Sequence, residues 1–129
     1  MPSAPPAVLV ADDEDDIRAL VCLAVGRAGG TVTAAVADGA QALAAARTRP
    51  PDLAVLDVSM PGADGLEVCA ALRAEPATAG VRILLLSAGA SPDDVARGLA
   101  AGADAYLAKP FSVAGLVARV RELTAGGRR

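Results

Sequence analysis

Leu53-Ala54-Val55-Leu56 is an unbroken apolar run that stops at Asp57, with Pro50-Pro51 before it and Pro61-Gly62 after it. A run of this length between breakers reads as a strand buried on both faces, the kind found in parallel sheets covered by helices on each side. Short runs of strand character recur at Val8–Ala11, Thr31–Val36, Val81–Leu86 and Ala103–Leu107, and a segment with helical spacing follows each strand. Five repeats of strand then helix require crossover connections, hence parallel strands joined with right-handed topology. The second strand alternates with Thr and the fifth contains Asp104, so both suit edges; the first, third and fourth suit the centre. The order 2-1-3-4-5 satisfies this. The expected fold is α/β, a doubly wound five-stranded parallel sheet of flavodoxin-like order with helices on both faces.

The helices follow from periodicity and caps. Ile17, Leu20, Val21, Ala24 and Ala28 recur at helical spacing, and Gly29-Gly30 ends that helix. The second helix is expected from about Ala40 to Arg47, with Leu43 and Ala46 inward, and the third from about Asp64 to Ala74. Ser91-Pro92-Asp93-Asp94 reads as an N-cap, a Pro in the first turn and two acids facing the helix dipole. That fourth helix runs to about Ala101 with Gly98 inside it, which weakens it. The fifth starts near Ser112, with Val113, Leu116, Val117 and Val120 on one face. The domain is expected over residues 7–124, with disordered tails at 1–6 and 125–129.

Composition excludes several functions. The 129 residues fit one domain whose core rests on Val, Leu, Ile and Ala, because aromatic residues are 2% of the chain. A net charge of −3 argues against direct nucleic-acid binding by this domain. No apolar run approaches the roughly 20 residues of a membrane span, and the first residues lack the pattern of a signal peptide. A cytoplasmic location is the expectation. The chain has no histidine, which removes Ser-His and Cys-His catalysis and any phosphohistidine donor within it. Cys22 and Cys69 lie in apolar helical patterns and read as small core residues.

The remaining polar residues converge. Asp12 and Asp13 follow the first strand, Asp57 ends the third, Ser87 ends the fourth, and Lys109, the only lysine, follows the fifth. In this topology all lie beyond the carboxyl ends of the strands, the edge where open α/β sheets bind ligands. Asp57 alone could equally cap the turn that follows it. Asp12, Asp13 and Asp57 together would repel unless protonated or joined by a cation, and a hard divalent ion such as Mg²⁺ suits oxygen ligands. Ser87 and Lys109 would meet an anion rich in oxygen, such as a phosphoryl group, with Asp57 as nucleophile. Glu14, Asp15 and Asp16 read as acids favouring the N-terminus of the first helix.

The ordered set Val10-Ala11-Asp12-Asp13-Glu14, Gly39 with Ala42-Leu43, Pro51-Asp52-Leu53, Asp57-Val58-Ser59-Met60-Pro61 with Gly65, Ser87-Ala88, Gly102-Ala103 and Tyr106-Leu107-Ala108-Lys109-Pro110-Phe111 resembles the receiver domain of two-component response regulators. The resemblance covers residues 8–123. It implies Asp57 as phosphoacceptor, Asp13 and Asp57 as Mg²⁺ ligands with the Ser59 backbone carbonyl, and Asp12 as a ligand through water. It implies that Ser87 and Lys109 bind phosphoryl oxygens, that Ser87 and Tyr106 form a conformational switch, and that the Lys109–Pro110 bond is cis. The partners it implies are a histidine kinase or phosphotransfer protein, and a downstream target or fused output domain reached through the surface of helix four, strand five and helix five. A monomer, or a weak phosphorylation-dependent dimer, is expected.

Such a domain catalyses only its own phosphorylation and dephosphorylation. Two other readings compete. A pseudo-receiver binding module would not need Asp13, Asp57, Ser87 and Lys109 together. A haloacid-dehalogenase-like phosphohydrolase wants an acid two residues after its nucleophile, where this chain has Ser59. Whether the domain stands alone or belongs to a longer chain stays open.

Overall fold

The computed structural model describes residues 4–125. The expected tails fall largely on residues 1–3 and 126–129, which lie outside the described residues. The elements run β1 (Ala7–Ala11), α1 (Asp15–Arg27), β2 (Thr31–Val36), α2 (Gly39–Thr48), β3 (Leu53–Asp57), α3 (Gly65–Ala74), β4 (Arg82–Ser87), α4 (Pro92–Ala100), β5 (Ala105–Ala108) and α5 (Val113–Thr124). The strands form one sheet in the order β2-β1-β3-β4-β5, and every neighbouring pair is parallel. The predicted architecture and both predicted edges are the observed ones.

The period-two alternation of strand side chains divides the core into two layers. Val8, Val10, Leu53, Val55, Leu84 and Leu86 pack with Val21, Ala24 and Val25 of α1 and with Leu116, Val117 and Val120 of α5. Leu9, Ala11, Ala54, Leu56, Ile83 and Leu85 face the other way, against Ala42 and Ala46 of α2 and Val68, Cys69 and Leu72 of α3. β3 is buried along its whole length, as an apolar run between two helical layers requires. Cys69 is buried in this core, and Cys22 packs half-buried against the other layer.

Boundaries shift where side chains redirect the backbone. β5 begins two residues later than its apolar pattern suggests. The Ala103 amide donates to the Gly98 carbonyl at 3.2 Å and so belongs to the end of α4. Asp104 then binds Ile83 twice, donating its amide to the Ile83 carbonyl at 2.9 Å and accepting the Ile83 amide on its carboxylate at 2.8 Å. Gly102 precedes both, at φ 109°, a left-handed conformation that favours glycine. At the start of α4, Ser91 accepts the Asp94 amide and Pro92 opens the helix, as the sequence indicates.

Candidate functional site

The parallel sheet brings the carboxyl ends of β1, β3, β4 and β5 to one edge. Asp12 follows β1 and is wholly buried, while Asp57 closes β3 with 3% exposure. Asp12 is held in place by its neighbours: its Oδ1 accepts the Glu14 amide at 2.9 Å, and its own amide donates to the Val36 carbonyl at 3.1 Å. Asp57 Oδ1 accepts the Ser59 amide at 3.3 Å. Lys109 follows β5, where its amide donates to the Ser87 carbonyl at 2.7 Å and aims the side chain across the sheet edge. The Lys109–Pro110 bond is cis, as expected.

Lys109 Nζ lies 3.1 Å from Asp12 Oδ2 and 3.3 Å from Asp57 Oδ1, with Glu14 Oε1 at 3.5 Å. Burial raises the Asp57 pKa to about 6, helped by the charge of Asp12 and opposed by Lys109 and the Ser59 amide. The balance differs at Lys109. Burial pulls its pKa down, but the hydrogen bond to Asp12 and the charges of Asp57 and Asp12 outweigh that and raise it. Lys109 is therefore a cation at neutral pH, and Asp57 is ionised but poorly solvated.

Asp13, Glu14, Asp57, Ser59, Ala88 and Lys109 line a cavity of about 350 Å³ open to solvent. Carboxylate oxygens of Asp12, Asp13, Glu14 and Asp57 all lie within 4.8 Å of one another. An all-oxygen donor set of this density fits a hard divalent cation such as Mg²⁺ and suits no soft metal. Glu14 is the N-cap residue of α1, where its charge favours the helix dipole without a side-chain cap hydrogen bond, and its carboxylate also lies beside the acidic cluster. Its place directly after Asp12-Asp13 was the available signal. Asp15 does stay outside, paired with Arg18 at 2.7 Å.

Ser87 and Tyr106 sit beside the cavity rather than in its lining. The Ser87 hydroxyl accepts the Gly89 amide at 3.0 Å. The Tyr106 hydroxyl donates to the Gly89 carbonyl. One residue of the β4–α4 loop thus bonds to both.

A sequence model of the response regulator receiver domain matches residues 8–121. The chain is 44% identical over 114 residues to the DNA-binding response regulator MtrA of Mycolicibacterium smegmatis, covering 88% of this chain and 48% of that protein. It is 48% identical over 118 residues to the transcriptional regulatory protein PrrA of Mycobacterium bovis, covering 92% of this chain and 49% of that protein. The solved receiver domain of NarL from Mycobacterium tuberculosis superposes with a TM-score of 0.86 at 34% identity, covering 98% of this chain and all of that one. The chain belongs to the response regulator receiver domain family. It is a signalling module of two-component systems, and it spans about half the length of the curated relatives it matches. Neither the phosphohydrolase nor the pseudo-receiver reading is favoured by these matches. Among the described residues no helix is long and apolar enough to cross a membrane.

Proposed function

We propose that Asp57 accepts a phosphoryl group from a phosphohistidine of a histidine kinase or phosphotransfer protein. The observation that carries this reading is the single lysine ammonium shared between two buried carboxylates, Asp12 and Asp57, with Asp57 and Lys109 lining a solvent-open cavity. A lone pair of the Asp57 carboxylate attacks phosphorus. The new O–P bond forms as the P–N bond to the donor imidazole breaks, and the departing nitrogen keeps that electron pair. Lys109 leaves its contact with Asp57 and meets an oxygen of the incoming group, offsetting charge in a site that water solvates poorly. The Ser87 hydroxyl can give up the Gly89 amide and turn to another phosphoryl oxygen. Water later attacks the acyl phosphate and restores Asp57, so the domain catalyses only its own modification and removal.

Asp13, Asp57 and the Ser59 backbone carbonyl would hold Mg²⁺ directly, and Asp12 through water, with Glu14 as a further acid nearby. When bound, the ion supplies positive charge that relieves carboxylate repulsion and binds phosphoryl oxygens. Ser87 and Tyr106 would carry the modified state to the surface of α4, β5 and α5. Relatives named as DNA-binding regulators are about twice as long, which supports a fused output domain that binds DNA while this domain does not. The reading carries a cytoplasmic location and a monomer or weak phosphorylation-dependent dimer.

The test is incubation with acetyl phosphate and Mg²⁺, read by intact mass. One phosphoryl group is expected on the wild type, and none on Asp57→Asn or after chelation. Unchanged incorporation in Asp57→Asn overturns the assignment.

A further inference from the structure

Gly98 is the only buried residue of α4, and it breaks the helix preference of its position. A Cβ built there would stand 2.9 Å from Cδ2 and 3.2 Å from Cε2 of Tyr106, and 3.1 Å from Cδ1 of Leu85. Leu85 and Tyr106 are register partners across the parallel β4–β5 pair, so both side chains leave the same face of the sheet toward α4. The Tyr106 ring lies against the bare backbone of the helix, and from that seat its hydroxyl reaches the Gly89 carbonyl. The Gly89 amide in turn donates to the Ser87 hydroxyl.

We infer that Gly98 is a positioning residue for Tyr106: the missing side chain is the slot that seats the ring inward on the Gly89 carbonyl. With any larger residue the aromatic ring and α4 compete for one volume. A close-packed core resolves such overlap by expelling the ring or lifting the helix. Gly98 thus sets how closely α4 sits to Tyr106, and Gly89 relays that setting to Ser87. The consequence for signalling rests on the reading of Asp57 as phosphoacceptor. The slot itself does not.

The chain has one tyrosine and no tryptophan, so its tyrosine emission reports Tyr106 alone. The experiment compares Gly98→Ala, Tyr106→Ala and the double variant with the wild type, without any phosphoryl donor. Acrylamide quenching of the emission should rise at least twofold in Gly98→Ala. Gly98→Ala should lower the melting temperature when Tyr106 is present and raise it in the Tyr106→Ala background, where helix preference outweighs the one remaining close contact, 3.1 Å to the swinging Cδ1 of Leu85. If Gly98→Ala fails to fold while the double variant folds, the slot is equally supported. A melting shift of the same sign in both backgrounds, or an unchanged quenching constant, overturns the proposal. Failure of Asp57 to take phosphate would leave all these outcomes untouched, so the two readings fail separately.

Discussion

Lys109 Nζ stands 3.3 Å from Asp57 Oδ1, so the only lysine of the chain neutralises the carboxylate at the end of the central strand. Side-chain exposure is 14% for Lys109 and 5% for Asp57, which places the pair largely out of water. The same ammonium holds Asp12. Removing it leaves two buried acids facing one another.

Lys109→Met should therefore destabilise the metal-free fold at pH 7 by about 3 kcal/mol, the scale of an orphaned buried charge. Urea unfolding in the presence of a chelator measures it. The loss should shrink at pH 5, where Asp57 can take up a proton instead.

The Asp57 pKa, raised to about 6 from 3.8, makes stability depend on pH with a definite sign. Between those values the folded protein holds a proton that the unfolded chain has lost. The contribution of this group to metal-free stability should be fully present below about pH 4 and be lost as pH rises through 6, levelling off above. The change is on the order of 3 kcal/mol, from about 1.4 kcal/mol per pKa unit. Subtracting the Asp57→Asn profile isolates it. A difference that rises with pH in this window would contradict the burial argument.

Mg²⁺ should relieve the crowding of Asp12, Asp13, Glu14 and Asp57, whose oxygens lie within 4.8 Å of one another. By linkage, an ion at about 100 times its dissociation constant adds roughly 2.7 kcal/mol. Thermal unfolding should move upward with added Mg²⁺ in the wild type and little in Asp13→Ala. Glu14→Gln should keep most of the shift, because Glu14 is exposed and makes only a 3.5 Å contact with Lys109.

The site was legible because topology, rather than local pattern, assembles it. Each apolar run stops at a polar residue, and a parallel sheet places those stops on one edge. Asp12, Asp13, Asp57 and Lys109 needed no more than that, whereas Ser59 came only from the family resemblance. The nearness of Glu14 to the cluster left no separate mark, because an acid at a helix start already has a sufficient explanation in the dipole. The late start of β5 was missed because a side-chain carboxylate, Asp104, takes the Ile83 amide in the place of a strand partner. Gly98 looked like a weakness in α4 because its contact with Tyr106 is tertiary and leaves no mark on the helix pattern.

Two glycines should respond oppositely to alanine. A Cβ at Gly65 would stand 2.5 Å from the Asp57 carbonyl oxygen and 2.9 Å from Val58 Cα, both backbone atoms that cannot swing aside. Gly65→Ala should cost about 1–3 kcal/mol and slow phosphorylation, since α3 packs directly on the chain that carries Asp57. At Gly26, in the last turn of α1, nothing lies within 4 Å. Gly26→Ala should stabilise by about 0.5 kcal/mol through helix propensity. Denaturant midpoints of the two variants settle both signs.

Phosphorylation should loosen or tighten α4 and leave α2 nearly unchanged. α2 is pinned at both ends: Asp38 caps it through the Gln41 amide at 2.7 Å, and Arg47 grips Glu75 beyond α3 with two nitrogens. Ala42 and Ala46 are buried beneath it. α4 has Gly98 as its one buried residue, Val95 is half-buried, and Leu99 is 51% exposed. A helix with so little buried apolar surface opens at low free energy, so a small difference between states redistributes it. The route is short. If the Ser87 hydroxyl turns toward a phosphoryl oxygen, the Gly89 amide loses its acceptor, and the Gly89 carbonyl is where Tyr106 is tied. Amides from Asp94 to Tyr106 should change hydrogen-exchange protection when a beryllofluoride complex forms on Asp57, while those of α2 hold theirs. Equal changes in both helices, or changes confined to the residues around the cavity, would mean that the Gly89 link transmits nothing.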